Sequence, residues 1–130
     1  MTFNWLSYLE LAGDPFLLDK TSPEEARLRT CISRAYYSVH HIAAEFLENE
    51  KGIVLCETKD IHNQVIIMFR DEEYTDNRYK RIGINLDRLR MNRNVADYNG
   101  KKHVHFGDAE LTLEMAKQVV DDLIGVGATT

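Results

Sequence analysis

The strongest constraint on the fold is a long amphipathic segment that begins near residue 22. Ser22-Pro23-Glu24-Glu25 combines a capping serine, a proline in the first helical position and a glutamate three residues after the cap. Apolar side chains then recur at steps of four and three residues, at Leu28, Ile32, Ala35, Val39, Ile42 and Phe46. This spacing keeps one face of an α-helix apolar. We predict a helix that ends near Lys51-Gly52 and forms the central element of the fold.

Four other segments carry helical signals, and strand signals are nearly absent. We predict helices over residues 3–11, about 59–70 and about 76–98, with a break at Gly13-Asp14-Pro15 and a connector at 53–57 that is irregular or briefly extended. A last helix is predicted from Asp108, as its N-cap, to Ile124, followed by a frayed tail. The prediction is an all-α, up-and-down bundle of about five helices. It forms one domain over residues 1–130, with its core at about 20–125.

Length and composition indicate an ordinary globular domain. The 130 residues are 44% hydrophobic and 28% charged, and no apolar run approaches the roughly 18 residues needed to cross a bilayer. The start of the chain lacks the basic segment followed by an apolar segment that is typical of a signal peptide. The two cysteines form no CxxC pair. His103 and His105 flank Val104 without a third ligand nearby. We therefore expect a cytoplasmic protein with reduced thiols, no metal, no cofactor and no membrane association.

The charge distribution says more than the net charge of −5, which argues against a general nucleic-acid coat protein. Residues 78–102 carry eight lysines and arginines against two aspartates, whereas the last helix is mostly acidic. Two interpretations stay open. The basic segment is either a local anion or phosphate site, or a solvated helix face that pairs with the acidic helix.

One residue of the fourth helix breaks the apolar pattern. The positions on its packed side are Tyr79, Ile82, Leu86, Leu89, Arg93 and Ala96. A buried guanidinium costs several kcal/mol unless it is paired, so Arg93 faces a partner, a cleft or a subunit interface, or it snorkels at the end of the bundle. Arg90, Asn94 and Asp97 lie beside it, and Asp97 is in reach of an in-helix pair with Arg93 or Arg90. Together with Tyr98 they make a surface suited to phosphate.

A second polar ridge lies on the central helix. Arg27, Arg34 and His41 repeat every seven residues, with Tyr37 and Ser38 beside them. His62 lies in the third helix, one turn before an apolar pair, and is predicted to point partly inward. For each histidine the alternative is a structural role in the packed fold.

Two strings in these helices resemble a known family. Residues 34–41, RAYYSVHH, resemble the helix-two signature of the HEPN family (higher eukaryotes and prokaryotes nucleotide-binding domain). Residues 89–98, LRMNRNVADY, resemble its later helix, in which an R-x-x-A-D-Y string is typical of one branch. The resemblance covers about residues 20–125 and implies a helical bundle that commonly dimerises. Many members are metal-independent endoribonucleases, often toxins or defence proteins, and some are neutralised by a minimal nucleotidyltransferase encoded beside them.

The resemblance also implies residue roles. In the active branch an arginine is followed, after four to six residues, by a histidine. Arg93 matches the arginine and Asn94 the polar residue beside it, but Tyr98 stands where the histidine is expected. A tyrosine with a pKa near 10 is ionised only about one part in a thousand at pH 7, so it is a poor unassisted base. His41 or His62 would have to replace it.

Three hypotheses follow. The first is a non-catalytic HEPN-type module of a toxin–antitoxin or defence-like system, which binds a nucleotide, RNA or a nucleotidyltransferase partner that modifies Tyr98. The second is a metal-independent endoribonuclease with Arg93, Asn94 and Tyr98, or a nearby histidine, as catalytic groups. The third is an unrelated structural bundle, which an exposed Arg93 in a monomer would favour. For both HEPN hypotheses the predicted nucleotide- or RNA-binding residues are Arg34, His41, His62, Arg90 and Asp97.

Overall fold

The computed structural model describes residues 3–21 and 24–130, and within these ranges the chain forms five α-helices and no strand. They are α1 (Leu6–Ala12), α2 (Glu25–Lys51), α3 (Ile61–Phe69), α4 (Asn77–Tyr98) and α5 (Phe106–Gly125). The long α2 contacts each of the other four helices, and α4 packs on α3 and α5 as well. The predicted all-α, five-helix bundle is therefore confirmed, with α2 at its centre. No helix of the described residues has the length and apolarity to cross a membrane.

The core lies where the predicted apolar faces meet. All six apolar positions predicted for α2 are buried, as are all six positions predicted for the packed side of α4. Between α2, α3 and α4, the rings of Phe46, Phe69 and Tyr79 pack with centroids 5.9–6.3 Å apart. A fully buried side chain of this size contributes about 1.5–3 kcal/mol to folding. The periodicity therefore identified the faces that hold the bundle together.

The starts of the first two helices differ from the prediction. Ser22 and Pro23, the predicted start of the second helix, lie outside the described residues, and α2 begins at Glu25 after an extended Glu24. The first helix begins at Leu6, three residues later than predicted. The reason is that the Asn4 side chain accepts a hydrogen bond from the Leu6 backbone N–H (3.1 Å). An asparagine that bonds the following backbone in this way favours a helix start over a helix interior.

The predicted N-cap of the last helix is wrong. α5 begins at Phe106, and Asp108 lies inside its first turn. The Asp108 carboxylate accepts a hydrogen bond from the backbone N–H of His105 (2.9 Å). An acidic residue three positions after a cap binds the cap's N–H in this way and satisfies a donor that the helix itself leaves free. At the other end, Ala128 donates to the Leu123 carbonyl (2.9 Å), so the predicted fraying does not begin directly after α5.

The basic segment 78–102 makes one ion pair with α5 among the described residues. Arg81 donates from Nε and Nη2 to the two oxygens of the buried Asp122 (2.8 and 2.6 Å). Arg78 instead pairs with Asp76 at the start of its own helix. The interpretation of this segment as a face that pairs with the acidic helix therefore applies to Arg81 alone.

The C-terminus of α4 is held by an arginine of α2. Arg29 Nη1 donates to the carbonyls of Val95 and Ala96 (2.9 Å each), and its Nη2 donates to the carbonyl of Lys102. Its Nε donates to Glu25 (2.8 Å). The last carbonyls of a helix have no partner within the helix. The Val95 carbonyl also accepts from the Asn99 backbone N–H (3.0 Å), and Arg29 adds a partner from the neighbouring helix that positions the end of α4.

Candidate functional site around Arg93

Arg93 is buried without a counter-ion. The whole residue is only 5% exposed to solvent. Its guanidinium carbon lies 5.2, 5.1 and 5.7 Å from the ring centroids of Tyr36, Tyr37 and Tyr98. Its Nε has no hydrogen-bond partner, and no Asp or Glu of the described residues pairs with it. Ring faces attract a cation but leave its charge in place. The inward position predicted for Arg93 is confirmed, and its charge is uncompensated.

The predicted in-helix pair of Asp97 with Arg93 or Arg90 is wrong. The exposed Asp97 accepts a hydrogen bond from the Ser33 hydroxyl of α2 (3.1 Å). Arg90 donates from Nη2 to Asp60, the N-cap of α3 (2.8 Å). This hydrogen bond is the largest cause of the lowered pKa of the Asp60 carboxyl. Arg90 thus pairs with α3, and Arg93 packs against the tyrosine rings of α2.

His62 is joined to Arg93 through Tyr36. The Tyr36 hydroxyl and His62 Nδ1 share a hydrogen bond of 2.6 Å, and the Tyr36 ring also flanks the Arg93 guanidinium. Burial lowers the pKa of His62, and the charges of Arg93 and Arg90 lower it further. Burial also raises the pKa of Tyr36, despite the opposing effect of Arg93. At neutral pH the site therefore holds a neutral imidazole and a neutral phenol beside a permanent cation.

His40 completes the interior of this cluster. Its ring stacks on that of His62 at 4.3 Å and lies 5.7 Å from that of Tyr36. Burial is the largest cause of the fall in the pKa of His40 to about 3, followed by the charge of His62. His40 is therefore a neutral packing group.

Arg34 is a second arginine without an ion pair among the described residues. Its guanidinium carbon lies 4.9 Å from the Tyr8 ring and 5.1 Å from the Tyr37 ring. Its Nη2 donates weakly to the Ser33 hydroxyl (3.3 Å). Tyr37 is thus flanked by both Arg34 and Arg93.

An open groove of about 320 Å³ adjoins these side chains. We refer to it as the aromatic groove; its lining residues are Trp5, Tyr8, Arg34, Tyr37, His41 and Asp97. The His41 ring stacks on that of Trp5 (3.7 Å, 16° between planes), and burial, with the charge of Arg34, lowers the pKa of His41. The Ser38 hydroxyl donates to the Trp5 carbonyl (2.8 Å) and holds the N-terminal segment against α2.

Most of the predicted site residues are therefore brought together. Linked by direct contacts or by the groove are Arg34, His41, His62, Arg93, Asp97 and Tyr98. Arg90 is connected to this group because its charge lowers the pKa of His62. Asn94 is exposed and forms no side-chain hydrogen bond with the described residues. Arg27 lies apart, because it pairs with Glu24 and covers the Phe16 ring.

The sequence reasoning missed the aromatic part of the site. Tyr36, Trp5 and Tyr8 were not predicted to belong to it, although they form much of its walls. One signal was available for Tyr36, which follows Ile32 by four residues and so shares the packed face of α2. No comparable signal exists for Trp5 and Tyr8, because their place depends on how α1 packs on α2.

No group of three or more His, Cys, Asp or Glu side chains within the described ranges is arranged to hold a metal ion. His103 instead contacts Glu25 through Nδ1 (2.6 Å). Comparison with protein-family models, curated proteins and solved structures gives no match for this chain. The HEPN resemblance of residues 34–41 and 89–98 therefore stays a prediction from the sequence.

Proposed function

We propose that this protein binds a nucleotide or RNA through a phosphate group at Arg93. The observation that carries the proposal is the buried guanidinium of Arg93, which lies among three tyrosines and has no carboxylate partner in the described part of the chain. An uncompensated buried charge is costly, and a chain retains it readily where a ligand supplies the opposite charge. The planar fork of arginine donors matches a phosphate group and binds it through two hydrogen bonds.

The rings around the cation favour a nucleotide over a simple anion. Tyr98 is 76% exposed and offers its ring beside Arg93, and Tyr37, which also flanks Arg93, lines the aromatic groove. Proteins that bind single strands combine cations for the backbone with aromatic rings for the bases. The HEPN resemblance implies the same class of ligand.

Two further parts of the proposal rest on that resemblance. They are a homodimer, and a nucleotidyltransferase antitoxin partner in a toxin–antitoxin or defence-like system. The high exposure of Tyr98 supports the second, because its hydroxyl is accessible to a modifying enzyme.

Replacing Arg93 with methionine should weaken RNA binding about tenfold to a hundredfold, since hydrogen bonds to a charged group contribute about 1.5–3 kcal/mol. Methionine fills a similar space among the tyrosines, so the fold should persist by circular dichroism. Binding is measured from the fluorescence anisotropy of a labelled oligoribonucleotide at fixed salt.

Arg88 provides a matched control. It is an exposed arginine of the same helix without an ion pair among the described residues. Arg88→Met removes the same charge and should change the affinity by no more than about threefold, as expected of a charge distant from the ligand. Equal losses in the two variants would mean that the protein attracts RNA by net charge alone, and would refute a site at Arg93.

A second candidate function, ribonuclease activity, is favoured by the link between His62 and Arg93. A neutral imidazole can take the proton of an RNA 2′-hydroxyl, and Arg93 can stabilise the negative charge that develops on the phosphorus centre. The 2′-oxygen then bonds to phosphorus and the 5′-oxygen leaves with a proton. The exposed hydroxyl of Tyr98, whose ring centre lies 5.7 Å from the Arg93 guanidinium carbon, is a candidate donor of that proton. The products are a 2′,3′-cyclic phosphate and a free 5′-hydroxyl.

This candidate predicts cleavage of mixed RNA in excess EDTA, with 2′,3′-cyclic phosphate ends. His62→Gln should reduce the rate at least about a hundredfold, the lower end of what a general base contributes, while RNA binding persists. Arg93→Met should lose both cleavage and binding. Absence of cleavage by the wild-type protein over a wide concentration range would leave the binding function alone.

A further inference from the structure

The aromatic groove and the guanidinium of Arg93 adjoin the same ring, that of Tyr37, although Arg93 does not itself line the groove. The guanidinium carbons of Arg34 and Arg93 each lie 5.1 Å from the centre of the same Tyr37 ring, so they are no more than 10.2 Å apart. A phosphate on Arg93 therefore places the attached sugar and base within reach of the groove.

The groove offers flat surfaces for a base. Arg34 lies over the rings of Tyr8 and Tyr37, so its planar guanidinium is held in place and presents a stacking surface of its own. The Tyr8 ring stands edge-on to Trp5 (5.3 Å, 82°), and the Trp5 indole N–H is fixed by a hydrogen bond to Glu45 (3.1 Å). These contacts preorganise the groove, and a preorganised groove binds a planar ring at a lower entropic cost.

Asp97 is the acidic residue that lines the groove. A negative charge beside a phosphate site opposes anion binding, so its presence there calls for an explanation. It makes no ion pair with Arg34 or Arg93, and its one side-chain hydrogen bond among the described residues leaves Oδ1 free. An ionised carboxylate only accepts hydrogen bonds. The exocyclic amino group of cytosine donates to such an oxygen, whereas uracil presents a carbonyl at the same position.

We infer that the aromatic groove is the base-binding subsite of this site, and that Asp97 selects a base with an exocyclic amino group over uracil. The inference rests on the proposed function, because it takes Arg93 to hold the phosphate of the same nucleotide. The base packs against the parts of Arg34, Tyr8 and Tyr37 that line the groove, and Asp97 accepts a hydrogen bond from the edge of the base.

The test compares cytidine and uridine 5′-monophosphates, which differ at this edge by an amino group against a carbonyl oxygen. Trp5 is the single tryptophan of the chain and lines the groove, so its fluorescence reports a base bound there. We expect the cytidine nucleotide to bind about fivefold to tenfold more tightly, the discrimination typical of one base-edge contact. Both nucleotides should quench Trp5, whereas ribose 5-phosphate should bind without quenching it.

Asp97→Asn is the matched variant, because its amide keeps an acceptor for Ser33 and adds a donor. It should abolish or reverse the preference for the cytidine nucleotide. Tyr8→Leu should weaken both nucleotides without changing their ratio.

The possible failures are distinguishable. Equal affinities for the two nucleotides, or a preference that survives in Asp97→Asn, would overturn the role of Asp97. Binding that depends on Arg93 but leaves Trp5 fluorescence unchanged would overturn the groove as the base subsite while the proposed function stands. No binding of any of the three probes or of RNA would refute the proposed function itself.

Discussion

Replacing Arg29 with methionine should lower the free energy of unfolding by about 3 kcal/mol, because each hydrogen bond from a charged donor contributes about 1.5–3 kcal/mol and partial solvent access replaces some of them. Arg29 donates to three main-chain carbonyls at and beyond the end of α4, and its side chain is 17% exposed. Without it, the carbonyls of Val95 and Ala96 lose their partner from α2. Urea unfolding followed by circular dichroism measures the loss.

Two variants separate this role from a loss of charge. Arg27→Met removes a cation two residues earlier on α2, whose pair with Glu24 is partly exposed, and should cost no more than about 1 kcal/mol. Arg29→Lys keeps the charge but lacks the fork that reaches several carbonyls at once, so it should recover only part of the stability. A full recovery with lysine, or an equal loss in Arg27→Met, would contradict the proposed anchoring of α4.

Acid should destabilise the protein through His40. Its pKa is about 3 in the folded chain, against about 6.5 for an unperturbed histidine. Below pH 6.5 the unfolded chain therefore binds a proton that the folded chain does not, and stability falls as the pH decreases towards 3. The free energy of unfolding should therefore be about 2.5 kcal/mol lower at pH 4.5 than at pH 7.5. The lowered pKa values of His41 and His62 act in the same direction.

The variant His40→Phe isolates this contribution. Phenylalanine keeps an aromatic ring beside Tyr36 and His62 but does not titrate, so most of the difference in unfolding free energy between pH 7.5 and 4.5 should disappear. If His40→Phe keeps the wild-type pH dependence, the acid sensitivity arises elsewhere, for example from carboxyl groups.

The presence of the helices, and the buried sides of α2 and α4, were predictable from the sequence because both are local properties. A period of about 3.6 residues requires only neighbours along the chain, and it placed Arg93 on the packed side of α4, where it is found. The positions of the helix ends were predicted less accurately. Asp108 was predicted as an N-cap and lies three residues inside the cap position, because either role satisfies one free backbone N–H.

The partners of the polar side chains were decided by the tertiary structure. The sequence offered Asp97 as a neighbour of Arg93 and Arg90 along one helix, but its partner is Ser33, 64 positions away. The contact between Tyr36 and His62 spans 26 positions. Such contacts depend on how α1, α3 and α4 pack around α2, and spacing along the chain contains no measure of that packing. The sequence alone therefore determined that an arginine occupies the packed side of α4, with burial and snorkelling both left open. Only the packing of the helices decided that it is surrounded by rings rather than paired with a carboxylate.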